Sequence, residues 1–169
     1  MKTFLVLFAL LLLFQCSFSQ CDELLSTEED PFNGTKITYT DIVVVSNDGN
    51  ISGFSMYYQK SNKTNSSLIF VVKFVDDNVR CIDEGDEMYL LFDDGSVAII
   101  QNEADFNCKG KLVVYFDKIY GNTKPLKLLA KKKLTRIRLT GSSFYEMELS
   151  KQNGEDLLND TKCITDGIL

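Results

Sequence analysis

The sequence predicts a mainly β protein, an antiparallel β-sandwich or strongly twisted sheet with one or two short helices near the C-terminus. Three observations carry this. Segments rich in Ile, Val, Thr, Tyr and Phe recur from Lys36 to Leu149. Clusters such as Asn47-Asp48-Gly49-Asn50 and Asp93-Asp94-Gly95 punctuate them as turns. Helical patterning is confined to two short stretches late in the chain. The 169 residues, 44% hydrophobic and 25% charged, suffice for one domain with a core.

The first element is an address rather than a fold. Lys2 supplies a positive n-region, Phe4 to Phe14 is unbroken apolar sequence, and Ser17-Phe18-Ser19 sets small residues at a cleavage site. Residues 1–19 therefore read as a signal peptide and residues 20–169 as a single β-rich domain, secreted or periplasmic. The apolar run is too short to span a bilayer, and the mature chain carries no transmembrane segment. Gln15 precedes Cys16 and Gln20 precedes Cys21, whereas a lipid-anchoring site needs a small residue there.

Lys36 to Val45 and Ile51 to Gln59 form the first hairpin. A turn at Asp48-Gly49 sets Tyr39 opposite Tyr58 and Val43 opposite Phe54, with Thr40 and Tyr57 on the other side. This would place Asp41 on an apolar face opposite Met56, so a β-bulge is expected there. After the polar loop Ser61 to Ser67, Leu68 to Val75 is a strand. Glu87 to Phe92 and Ser96 to Gln101 form a second hairpin around Asp94-Gly95, with Leu90, Phe92, Val97 and Ile99 on one side. Tyr89, Leu91, Ala98 and Ile100 occupy the other, which predicts a central hairpin covered on both faces.

Lys111 to Asp117 is a further strand, and Pro125 opens a short helix through about Lys133. Leu134 to Thr140 and Phe144 to Leu149 form the last hairpin. A three-residue loop, Gly141-Ser142-Ser143, pairs Arg138 with Glu146 and Arg136 with Glu148 on one face, and Ile137 with Met147 and Leu139 with Tyr145 on the other. Slipping by one residue would oppose charges to apolar residues throughout. The tail from Asn153 to Cys163 reads as a docked helix, with Glu155 and Asp156 in its first turn and Leu157, Leu158 and Ile164 for docking.

Removing Cys16 with the signal leaves Cys21, Cys81, Cys108 and Cys163, an even set with three possible pairings in an oxidising compartment. Their spacing fits neither a C-x-x-C redox motif nor a zinc site. Continuing the Asp94-Gly95 hairpin outward brings Cys81 level with Cys108. Cys21 then pairs with Cys163, tying the mature N-terminus to the final helix.

The order of Phe32-Asn33-Gly34-Thr35-Lys36, Tyr89-Leu90-Leu91-Phe92-Asp93-Asp94-Gly95, Asn107-Cys108, and Lys132 to Arg138 leading to Lys162-Cys163 resembles small exported β-rich proteins of unknown function from Bacteroidetes-type bacteria. The resemblance spans most of the mature chain and implies a compact exported domain, with no activity, ligand or functional residue to carry over. Sequons at Asn33, Asn50, Asn62, Asn65 and Asn159 would accept glycans in a eukaryotic secretory pathway. In a bacterial chain rich in Asn, Ser and Thr they carry no meaning.

A net charge of -6 and a pI near 4.7 argue against nucleic-acid binding. The absence of histidine excludes Ser-His-Asp and Cys-His relays and H-E-x-x-H zinc sites. The acidic stretch Asp76, Asp77, Asp83, Glu84, Asp86, Glu87, Asp93 and Asp94 offers calcium-type oxygens, but fits no EF-hand and reads as a solvated, turn-rich edge. Lys124, Lys127, Lys131, Lys132, Lys133, Arg136 and Arg138 form the basic counterpart, a solvated helix followed by Arg–Glu pairs. Asp94-Gly95-Ser96 lacks the order of an aspartic protease motif. Tyr57 is the one tyrosine placed outward on a strand. No catalytic, cofactor-binding or metal-ligating residue is assigned. The expected role is an exported, non-catalytic binding or envelope-associated structural module. Alternatives are a carboxylate-based hydrolase of cell-surface polymers, whose mark would be converging acidic side chains with a raised pKa, and a calcium-dependent module.

Overall fold

The computed structural model describes residues 21–32, 34–47, 50–60, 66–75, 81–116, 123–142 and 144–166. Residues 1–20 (which include the expected signal peptide), the expected Asp48-Gly49 turn, residues 61–65 of the expected polar loop, Asp76 and Asp77 lie outside them. The fold is mainly β, as two antiparallel sheets. Strands β1 (Leu25–Glu29), β2 (Lys36–Thr40), β4 (Asn50–Lys60), β5 (Ser66–Val75) and β8 (Lys111–Phe116) lie side by side in the first sheet, and β3 (Val43–Asn47) prolongs β2 along β4. The second sheet is ordered β10 (Tyr145–Glu148), β9 (Leu134–Thr140), β6 (Glu87–Phe92), β7 (Val97–Gln101).

Alternation decides which face of each sheet is inside. Phe54, Leu68, Phe70, Val72, Phe74, Leu112, Val114 and Phe116 from the first sheet are buried in one hydrophobic cluster. Met88, Leu90, Phe92, Ala98, Ile100, Ile137, Leu139, Tyr145 and Met147 from the second belong to that same cluster, which makes a sandwich. Phe54, Phe70 and Phe116 stack with centroids 6.2 and 6.0 Å apart. Across the layers, the Phe74 ring meets Tyr145 edge-on at 4.8 Å, and the Tyr145 hydroxyl lies 3.2 Å from Ser52 Oγ. Fully burying one such side chain contributes about 1.5–3 kcal/mol.

The first hairpin contains the expected bulge. Val43 pairs with Phe54, but Tyr39 pairs with Tyr57 rather than Tyr58, so one extra residue sits on the β2–β3 side. Asp41 and Ile42 turn to solvent there, while Thr40 is buried rather than outward. Strand β1 was not foreseen. Its sequence, Leu-Ser-Thr-Glu-Glu, shows no apolar alternation because it is an exposed strand paired, among the described residues, with β2 alone.

The second hairpin differs by one residue from the predicted register. Leu90 pairs with Ala98 and Tyr89 with Ile99, because Gly95, at φ +81°, closes a three-residue loop in the left-handed conformation. Met88, Leu90, Phe92, Ala98 and Ile100 therefore share the buried face. The expectation of cover on both faces fails: β7 is an edge strand, and Val97 and Ile99 on the outer face are 50% and 46% exposed.

Beyond this hairpin the chain gains one residue on the β7 side, so that Ile82 and Asn107 exchange backbone hydrogen bonds of 2.8 and 3.0 Å. That restores the level at which Cys81 is joined to Cys108. Asn102 anchors the irregular stretch. Buried, its amide donates to the Asp83 and Ala104 carbonyls, and its oxygen accepts from the N–H groups of Val113 and Ala104. The junction with β8 is thereby stitched at the backbone, with every polar atom of the side chain in use.

Helix α1 (Thr123–Leu129) ends four residues before Lys133. The Lys133 carbonyl already accepts from the Asp93 N–H beside β6, which draws the chain out of helical geometry. The last hairpin has the predicted register, Arg138 opposite Glu146 and Arg136 opposite Glu148. Helix α2 (Lys151–Thr165) starts earlier than Asn153: Ser150 is the cap, its Oγ accepting from the Asn153 N–H at 3.1 Å. The Asn153 amide is left to donate to the Val44 carbonyl at 2.9 Å, which fastens the helix to β3. Cys21 is joined to Cys163, within α2. Among the described residues, no helix is long and apolar enough to cross a membrane.

Candidate binding face

The residues that alternate away from the core of the six-stranded sheet are unexpectedly apolar. Ile51 lies opposite Val75 across β4 and β5, and Val71 lies opposite Val113 across β5 and β8. Between these rows runs a third, Val44, Gly53, Lys73 and Lys111, one residue from each of β3, β4, β5 and β8. The β-bulge adds Ile42. An added Cβ on Gly53 would meet Ile42 Cγ2 at 3.0 Å, so the Ile42 side chain lies down over the missing side chain. Ile42 and Val44 are 63% and 56% exposed. All of these residues but the buried Val113 line an open groove of about 330 Å³, with Gly53 beneath Ile42 in its floor and Lys73 and Lys111 at its basic end.

The two lysines face each other directly in register, an arrangement unfavourable between like charges. Lys73 Nζ donates to the Lys109 carbonyl. No acidic side chain is among the groove's described lining.

The residues singled out from the sequence disperse into structural roles. Asp94 accepts from the Ser96 N–H and Oγ and pairs with Lys132 at 2.5 Å. Lys132 first, then Ser96, hold its carboxyl far below the usual range. Burial pushes the Asp86 carboxyl up, but hydrogen bonds from Ser142 and the Asp83 N–H together outweigh it and leave the pKa lowered. Glu87 accepts from Tyr89 and Gln101. Lys133 pairs with Glu155 at 2.6 Å, raising the lysine and lowering the glutamate. Arg138 contacts Glu146 at 2.6 Å, and Arg136 contacts both Glu146 and Glu148. Lys124, Lys127 and Lys131 are exposed on and after α1. Asn159 is exposed on α2; Asn33, Asn62 and Asn65, and the side chains of Asn50 and Tyr57, are outside the described residues. Among the described residues no three acidic or cysteine side chains gather closely enough to hold a metal ion.

One carboxyl was missed. Asp160 is only 4% exposed on α2; burial first, then the charges of Asp156 and Asp41, push its pKa up to about 6. The i, i+4 spacing of Asp156 and Asp160 on an amphipathic helix was the available signal. Asp160 lines neither the large groove nor a smaller one of about 150 Å³ over Tyr89, Leu91, Val97 and Arg136 on the other sheet. For the large groove the signal was Gly53, a lone glycine within a strand, which marks a missing side chain on one face.

No protein-family model, curated protein or solved structure matches this chain.

Proposed function

We propose that the chain is an exported, non-catalytic binding module, secreted or periplasmic, that works through the outer face of its six-stranded sheet. The observation that carries this is the groove over Gly53, where bulky apolar side chains stand exposed in one continuous patch. Patches of this kind on a folded surface are covered by something in use. Export is supported by the N-terminal Lys2, Phe4 to Phe14 and Ser17 to Ser19 pattern and by two disulfides among the described residues.

The test is amine labelling of the protein in its native envelope fraction and after purification. Lys73 and Lys111 should be protected in the envelope, while Lys124 and Lys127 label equally in both. Equal labelling of all four overturns the proposal. The raised Asp160 carboxyl favours the hydrolase as the second reading, although so little of it reaches solvent. Release of sugar from cell-surface polysaccharide that vanishes in Asp160→Asn would establish that reading and remove the first.

A further inference from the structure

We propose that the groove takes one anionic amphiphile at a time, an acyl chain ending in a carboxylate or phosphate. The inference deepens the binding reading above and rests on it. Its ground is the polarity of a single row of residues. From β3 to β8 the row reads Val44, Gly53 with the Ile42 side chain laid over it, Lys73, Lys111, passing from apolar to basic over three strand spacings, or roughly 14 Å. An amphiphile has that same gradient. Its chain would lie between Val44 and Val71, on top of the Ile42 side chain that covers Gly53, and its head would reach the paired lysines.

Charge and shape select among occupants. Two lysines opposed in register repel each other, and an anion placed between them converts that cost into attraction. They do so in a chain of net charge -6, so the local sign is opposite to the global one. A second copy of the chain docked about a twofold axis would add another pair of lysines to the same apolar patch, which disfavours self-association. A bilayer surface is met by protruding apolar side chains, whereas a trough floored by Gly53 and the low-lying Ile42 side chain accommodates a chain laid along it. The groove volume of about 330 Å³ falls at the lower end of ligand sites, which run from roughly 300 to 1,000 Å³.

The experiment is calorimetric titration of the mature, disulfide-bonded protein with laurate below its micellar concentration, with dodecyl maltoside as the neutral probe. Laurate should bind saturably at one per chain. Gly53→Val puts a side chain where Ile42 lies and would lift Ile42 into the trough, so it should weaken binding by about tenfold or more. Val44→Asp, at an exposed position, should do the same and covers the case in which the glycine variant folds poorly. The double variant Lys73→Gln, Lys111→Gln should lose about tenfold for laurate and nothing for dodecyl maltoside.

Absence of laurate binding, or binding indifferent to Gly53→Val and Val44→Asp, overturns the inference. So does binding to anionic phospholipid vesicles without binding to monomeric laurate, or a concentration-dependent dimer that Val44→Asp abolishes and laurate does not disperse. If laurate fails while Lys73 and Lys111 stay protected in the native envelope, the binding face stands and only the ligand class falls.

Discussion

The outer faces of the two sheets are built from similar side chains and end in opposite electrostatic states. On the four-stranded sheet, Tyr89, Leu91 and Val97 flank Arg136 and Arg138, and both arginines are answered across β9 and β10 by Glu146 and Glu148. On the six-stranded sheet, Val44, Ile51, Val71 and Val75 surround Lys73 and Lys111, which are answered in register only by each other. On the first face Val97 and Ile99 are also about half exposed, but the charges are paired. Its charges close their own field, and its apolar area is partly covered by arginine stems. The second exposes apolar surface beside two lysines with no carboxylate in the described lining to answer them, and that combination separates a binding surface from a merely solvated one.

The largest expected effect sets the scale for any change on an outer face. Phe70→Ala, pointing inward between Phe54 and Phe116, should cost about 3–5 kcal/mol in urea unfolding. Groove substitutions at neighbouring outward positions should cost far less; a comparable loss there would mean that the groove is core. Next in size is Asp160, next to the bulge that delivers Ile42 to the groove. A folded pKa of about 6, above the ordinary 3.8, means that the folded state holds its proton longer than the unfolded one. Stability from this carboxyl is fully present below pH 4 and is lost as pH rises through 6. Asp160→Asn should therefore stabilise the protein at pH 8 by up to about 3 kcal/mol and change little at pH 4, as read from melting at the two values. A loss at pH 8 would contradict the assignment.

The smallest effects should discriminate the two faces by sign. Arg138→Ala removes an exposed pair and should cost about 0.2–1 kcal/mol, whereas Lys111→Thr removes an exposed repulsion and should gain a similar amount. Added salt should shrink both effects toward zero. Equal signs in thermal unfolding would break the contrast between the faces.

Where the sequence was legible, alternation and charge constrained each other. Any slip of Arg136 and Arg138 against Glu146 and Glu148 would have opposed charges to Ile137 and Leu139, so only one register remained. The Asp94-Gly95 hairpin lacked such a check, since all four strand faces there are apolar, and the conformation of Gly95 decided the register instead. Cys81 still meets Cys108 because the loop anchored by Asn102 contributes the residue that the hairpin omits. The groove was illegible for a different reason. Val44, Ile51, Val71 and Val75 read as ordinary strand residues until the pairing of β5 with β8 sets Lys73 against Lys111, a contact between positions 38 residues apart in the sequence. Strand β1 offered no pattern at all, as its residues bury almost nothing.

The bond between Cys21 and Cys163 constrains the history of the chain as well as its shape. Cys21 lies 142 residues from its partner but only 60 from Cys81 and 87 from Cys108, so in an unfolded chain those two compete for it. Closure of the bridge between those two, 27 residues apart, removes them as competitors. The short-range bridge thus narrows the choice open to the long-range one, and the hairpin between its cysteines is the segment that brings them level.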